Sequence, residues 1–221
     1  MRIIDKAIKE GRNTLSEYES KKVLAAYQIP VTREILVDDI KDLSKAVKEI
    51  GYPLALKGCS PETIHKTEKG LIRLDIRDEK EARSAFEEIM NSMLGTEGTV
   101  LVQEMVRGQR ELVIGLTRDV QFGPCVMFGL GGIFTEVLKD ITFRVAPLER
   151  RDALDMMNEI RGHKILDAIR GMEAVDLDML AEILISVGRI GLENGSVKEI
   201  DINPVIISGN RPVAVDALVA L

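Results

Sequence analysis

"RELVIGLTRDVQFGPCVMFGLGGIFTEVLKDITFRVAPL", residues 110–148, decides the fold class. It reads as several strands joined by Gly-rich turns, with no helical period. Before it, helices and strands alternate. "LSEYESKKVLAAYQIP" (15–30) is a helix, because Ser16 stands three residues before Glu19 in a capping-box pattern and Pro30 stops the run. "VTREILV" (31–37) is a short strand, and "DDIKDLSKAVKEIG" (38–51) sets Ile40, Leu43, Val47 and Ile50 on one helical stripe closed by Gly51. "YPLALKG" (52–58) is a buried strand ending in Lys57 and Gly58. "LIRLDI" (71–76) alternates as a half-buried strand with Ile72, Leu74 and Ile76 on one face. A helix over 79–95 turns Ala82, Phe86, Ile89 and Met93 inward, and "TVLVQEMV" (99–106) is the next strand. Beyond the opening stretch, "DLDMLAEILISVGRIGLEN" (176–194) is a helix with Leu177, Leu180, Leu184 and Val187 on one face, and "VKEIDINPVII" and "PVAVDAL" are closing strands. The expectation is two α+β lobes that meet near residues 104–110, with a small-ligand cleft between them.

Composition excludes several function classes. The 221 residues are 45% apolar and 30% charged, which is ordinary for a globular protein and unlike a disordered one. A net charge of −6, 4% aromatic residues and no Trp argue against nucleic acid as a partner. Cys59 and Cys125 form no C-x-x-C and read as free thiols. The start of the chain mixes charges without a sustained apolar stretch, so no signal peptide or membrane span is expected. The chain reads as cytoplasmic.

The clearest site geometry lies near the C-terminus. In "EIDIN" strand alternation turns Glu199, Asp201 and Asn203 to one side and Ile200 and Ile202 to the core. With Gly209 and Asn210 as a two-residue turn, Ser208 faces Arg211, and counting back sets Asn203 opposite Asp216. Opposed residues have Cβ atoms roughly 5 Å apart. Asp201, Asn203 and Asp216 therefore either present hard oxygens to one Mg²⁺ or form a solvated acidic face. Pro204 and Pro212 add the expectation of a bulge. No Cys or His cluster suggests zinc.

Other candidates keep two readings each. Lys57 is a snorkelling surface residue or a cation aimed at a triphosphate. "GLGG" (129–132) is a tight turn or an anion cradle using its N–H groups, and it is not a Walker A. Arg144 ion-pairs structurally or binds phosphate. His65, in the loop "SPETIHKTEKG" (60–70), is a loop residue bonded to a carboxylate or a group that handles phosphate, and His163 reads as structural.

In this order the residues resemble the ATP-grasp domain of ADP-forming acyl-CoA synthetases. The likeness is to the separate β subunit of the acetate–CoA ligase type, and succinyl-CoA synthetase β chains are similar at lower resolution. The stretches that carry it span nearly the whole chain: 15–31, 52–70, "VLVQEMV", 110–148 and "EIDINPV". The resemblance implies an α+β ATP-grasp fold with an N-terminal lobe over 1–106, including a capping helix, a C-terminal lobe over 107–221, and the nucleotide site in the cleft. It implies ATP or ADP as nucleotide, with Lys57 and Lys66 on the phosphates, and Glu104 with the backbone of Met105 and Val106 on adenine and ribose. Glu111 would stand near the ribose. Gly131, Gly132 and Arg144 complete the nucleotide set, and Asp201, Asn203 and Asp216 would bind Mg²⁺. His65 would take a phosphoryl group from a phosphohistidine on a CoA-binding α subunit and pass it to ADP, in an α2β2 assembly. Two rivals stay open: a stand-alone ATP-grasp carboxylate ligase that does not need His65, and a non-catalytic synthetase-like regulatory module.

Overall fold

The computed structural model describes residues 1–60, 70–93, 98–132 and 139–221. The chain divides into two units, one of Ser16–Tyr18 and Thr32–Met105, the other of Met1–Leu15, Glu19–Val31 and Val106–Leu221. In chain order it opens with helices α1 (Arg2–Lys9) and α2 (Glu17–Ala26). Strand β1 (Glu34–Val37), helix α3 (Ile40–Ile50), strands β2 (Leu54–Cys59) and β3 (Ile72–Ile76), helix α4 (Glu79–Ser92) and strand β4 (Thr99–Glu104) follow.

In the smaller unit the strands pair antiparallel in the order β1-β4-β2-β3. Helix α3 starts where the Asp39 side chain accepts a hydrogen bond from the Lys41 N–H at 2.9 Å, and it ends at Gly51, whose φ of 85° suits glycine. Leu43, Val47 and Ile50 from α3, and Ala82, Phe86 and Ile89 from α4, bury against Leu54, Leu56, Val100 and Val102. One expected alternation breaks. Leu74 is 63% exposed while Ile76 is buried, because Asp75 adopts φ 57° and the β2–β3 register shifts between Leu54 and Leu56.

The larger unit holds β5 (Glu111–Asp119), β6 (Gly123–Leu130), β7 (Ile141–Val145), α5 (Arg150–Glu159), α6 (Leu177–Glu193), β8 (Glu199–Ser208), β9 (Arg211–Ala214) and β10 (Leu218–Ala220). Its antiparallel sheet runs β10-β8-β5-β6-β7, with β9 also paired to β8. Helix α6 packs on β5 and β6, burying Leu180, Leu184 and Val187, while Leu177 at its first position stays 40% exposed. Gly191 permits the close approach: a Cβ there would stand 2.5 Å from Leu116 Cδ1 and 2.9 Å from Pro124 Cβ.

The start of the chain belongs to this unit, which departs from the expected lobe over residues 1–106. Ile4, Ala7, Leu15, Val23, Leu24 and Ile29 enter the core built on β5, β6 and β8. Backbone bonds fix the placement: Leu15 N–H donates to Val219 O at 2.9 Å, Leu221 N–H to Asn13 O at 2.7 Å, and Ala214 N–H to Pro30 O at 2.9 Å. The first nine residues, which show no long apolar run, fold as α1 because Ile4 and Ala7 suffice to bury one face. The break after Met105 lies one residue from the expected boundary.

Arg110 anchors the entry to β5. It is 3% exposed, and its guanidinium donates to the carbonyls of Ile165 (3.2 Å), Asp167 (3.3 Å), Glu173 (2.8 Å) and Gly209 (3.0 Å). Five fixed donors suit such a set, and a lysine's single ammonium cannot span it. Arg110→Met should lower the unfolding free energy by about 3 kcal/mol in urea titration, and Arg110→Lys should recover little of it. A loss under about 0.5 kcal/mol would show that those carbonyls are satisfied without it.

Candidate functional site

Strand β8 carries the acidic face. Ile200 and Ile202, 1% and 0% exposed, enter the core, and Asp201, Glu199 and Asn203 fall on the opposite side. The β8–β9 hairpin has Ser208 opposite Arg211 and Val205 opposite Ala214. Val215 N–H then donates to Pro204 O at 3.0 Å, and β10 resumes the same register with Leu218 opposite Asp201. Carried through, that register sets Asn203 opposite Asp216. The irregularity expected around Pro204 appears on the other flank of β8, where pairing with β5 shifts between Leu112 and Ile114.

Burial first, then the charges of Glu199 and Asp216, push Asp201 from its ordinary 3.8 up to about 6. A half-buried carboxyl crowded by acids is a site that a hard cation relieves. Among the described residues no three His, Cys, Asp or Glu side chains group to hold a metal. Asp201, Asn203 and Asp216 would together offer two carboxylates and one amide oxygen, a set that suits Mg²⁺, an ion that takes one or two carboxylates and completes its shell with water and phosphate.

Glu111 and the glycine turn come together on β5 and the end of β6. Gly131 N–H donates to Glu111 O at 2.8 Å, so that N–H is already committed within the protein. A Cβ at Gly131 would stand 2.8 Å from the Glu111 carbonyl carbon. One at Gly132, where φ is 62°, would stand 2.8 Å from Glu111 Oε2. Backbone approach requires glycine at 131, and the left-handed φ favours it at 132. Asp140, 6% exposed, accepts from Leu130 N–H through its backbone carbonyl at 3.2 Å, and its carboxylate accepts from the N–H groups of Arg161 and Gly162 at 2.7 Å each. The guanidinium of Arg144 on β7 pairs with Glu159, which also accepts from Thr142 Oγ1 at 3.0 Å. Arg144 foremost and Thr142 next hold Glu159 below the usual carboxylate range.

In the smaller unit Lys57 is neither at a strand end nor snorkelling. It is the fourth residue of β2, 4% exposed, with Nζ 2.7 Å from Glu17 Oε1. Glu104, at the end of β4, accepts from the Arg33 N–H and from Arg33 Nε, both at 2.8 Å. Met105 and Val106, half-buried, follow it. In the larger unit Val106 lines a cavity of about 690 Å³ with Arg110, Met172, Glu173 and Ile207. His65 and Lys66 lie outside the described residues. His163 stands in a single 3₁₀ turn with Nδ1 3.1 Å from Ile160 O, a structural placement.

The sequence reading missed Glu17, Arg33, Asp140 and Glu159. Each is a carboxylate or guanidinium that partners a candidate or a turn from far along the chain, so no local spacing announces it. Only Glu17 left a trace, in a helix start rich in charges whose faces turn out to be buried.

A family model described as an ATP-grasp domain matches residues 6–221. The β subunit of ADP-forming acetate–CoA ligase I from Pyrococcus furiosus is 42% identical over 99% of this chain and 96% of its own length. ADP-forming acetate–CoA ligase I of Archaeoglobus fulgidus is 38% identical over 97% of this chain but 32% of its own length. Among solved structures, a Ca. Korarchaeum cryptofilum dinucleotide-forming acetyl-coenzyme A synthetase 1 superimposes with a TM-score of 0.88 at 42% identity, covering 100% of this chain and 98% of that one. It is described in complex with coenzyme A and Mg-AMPPCP, its phosphohistidine segment pointing towards the nucleotide binding site. Among the described residues no helix is long and apolar enough to cross a membrane.

Asp201 gives a pH signature in metal-free protein. Below pH 3.8 it is protonated folded or unfolded and costs nothing; as pH rises to about 6 the unfolded chain ionises first, so folded stability is progressively lost. Discounted for its partial exposure, the cost at pH 8 is about 1–2 kcal/mol. Asp201→Asn should therefore be more stable than wild type by that amount at pH 8 and equal to it at pH 3.5, read by urea unfolding in EDTA. Equal stability at both pH values would show that Asp201 carries no such burden.

Proposed function

This chain belongs to the ATP-grasp family, among the β subunits of ADP-forming acetate–CoA ligases, and on that footing we propose that it is the nucleotide-binding subunit of such an enzyme. The reaction is acetyl-CoA, ADP and phosphate giving acetate, CoA and ATP, run in either direction. The observation that carries the reading is identity over 96% of a relative that is itself a β subunit.

Each candidate side chain has a task in that reaction. Lys57 neutralises charge on the nucleotide phosphates, with Lys66 beside it. Glu104 and the backbone of Met105 and Val106 hold adenine and ribose, and Glu111 accepts from the ribose hydroxyls. Gly131 and Gly132 let the chain pass close to the ligand, and Arg144 exchanges Glu159 for phosphate when nucleotide is present. Asp201, Asn203 and Asp216 hold Mg²⁺, which when bound offsets the negative charge of the phosphates. Neutral His65 is the phosphoryl carrier: one of its ring nitrogens forms a bond to phosphorus as the N–P bond of the partner's phosphohistidine breaks. The terminal oxygen of ADP then displaces that nitrogen, forming ATP and restoring imidazole. The acidic face and the buried lysine support this reading, since phosphoryl transfer needs positioning and charge neutralisation more than covalent chemistry.

The chain works with a CoA-binding α subunit that carries the primary phosphohistidine, in a cytoplasmic α2β2 assembly. The need for a partner is supported by relatives that occur both as β subunits of this length and as chains about three times as long.

The test mixes this chain with its α partner, acetyl-CoA, ADP and labelled phosphate, and locates acid-labile label by mass spectrometry. We expect label on His65, ATP formation lost in His65→Ala, and no turnover by this chain alone. Turnover without the partner would defeat the assignment as a subunit. ATP formation by His65→Ala at the wild-type rate would remove the carrier role.

A further inference from the structure

The side of the four-stranded sheet turned away from α3 and α4 is where Lys57 stands. Strand alternation sends Leu54 and Leu56 into the helix-covered core, so Ala55, Lys57 and Cys59 fall on the other face. On β4 the same alternation sends Val100 and Val102 to the core and Leu101 and Gln103 to the side of Lys57. Every residue of β2 is buried, including Lys57 at 4%, and Gln103 is 2% exposed. An ammonium in such a place cannot rely on water. It is met there by Glu17 at 2.7 Å, from a position forty residues earlier, and the two side chains are 5% and 1% exposed.

We propose that Glu17 is a positioning residue for nucleotide binding: its carboxylate fixes the direction and charge of the Lys57 ammonium that meets the nucleotide phosphates. The inference rests on the phosphate role proposed for Lys57 above and adds a residue that role did not include. With 5% of the lysine side chain open to solvent, Nζ has little room to search for a ligand, so its direction is set before the ligand arrives. The 2.7 Å bond to Glu17 fixes the direction of one ammonium N–H and with it the position of Nζ. A carboxylate also keeps the desolvated cation compensated while the nucleotide is absent, which an amide of the same shape does not do. On this reading Glu17 acts on the nucleotide through the lysine it orients.

Comparing ADP with AMP separates this role from mere folding. The purified chain is titrated calorimetrically with ADP and with AMP in Mg²⁺, for wild type, Glu17→Gln, Lys57→Met and the double variant. Glu17→Gln should weaken ADP about 10-fold while AMP stays within about twofold, because Lys57 serves the phosphate that AMP lacks. Since both changes act on one interaction, the double variant should bind ADP no worse than Lys57→Met. Melting curves accompany each variant, and the double variant, which leaves no uncompensated buried charge, shows that the fold tolerates the change. If Glu17→Gln does not fold, Glu17→Asp, which keeps the charge but draws it back by one methylene, should give the same preferential loss of ADP. Losses equal for ADP and AMP, or effects of the two positions that add, would overturn the role of Glu17. If Lys57→Met itself leaves ADP and AMP unchanged, the phosphate role of Lys57 fails, and the Glu17 inference falls with it; if only Glu17→Gln is silent, Lys57 stands and Glu17 does not.

Discussion

Strand β8 is shared by two sheet flanks, and that constraint organises the larger unit. On one side it pairs with β5; on the other it pairs with β9 and then, in unbroken register, with β10. A strand tied on both sides has no freedom to slip, because a one-residue shift would carry Ile200 and Ile202 out of the core and Asp201 into it. The acidic face is thus a consequence of the hydrophobic one. The start of the chain reinforces the arrangement, since Leu15 and Asn13 bond to the backbone around β10 and Pro30 to that of β9.

Charge is buried or half-buried at several places, each with a different resolution. Arg110 spreads its guanidinium over four carbonyls and so costs no counter-ion. Lys57 has a carboxylate partner at 2.7 Å. Asp201 has acids for neighbours instead, and its protonation equilibrium moves accordingly. The first is a device of architecture. In the function proposed above, the other two meet a nucleotide phosphate and a divalent cation.

Much of this was legible in the chain. Helices α3 and α4 were readable from stripes such as Leu43, Val47 and Ile50, and the β8–β9 register followed from Gly209 and Asn210. Local rules suffice for such features, since period and turn chemistry are written in neighbouring residues. What was not legible depends on residues distant in sequence. The membership of residues 1–15 in the larger unit follows from Ile4 and Ala7 finding a core built a hundred residues later. The partners Glu17 for Lys57, Arg33 for Glu104 and Glu159 for Arg144 are likewise tertiary facts. The broken alternation of β3 at Leu74 arose because Asp75 adopts a left-handed backbone, which period-two counting does not anticipate.

In the proposed function the acidic face of β8 is part of the nucleotide site, and the other assignments follow from it. ADP titrated into the purified chain, with Mg²⁺ and then with EDTA, measures this directly, with Asp216→Asn as the companion. Binding should weaken about 10-fold or more when Mg²⁺ is withheld, and Asp216→Asn should lose most of that dependence. ADP binding that is indifferent to both Mg²⁺ and Asp216, or no ADP binding at all, would contradict it.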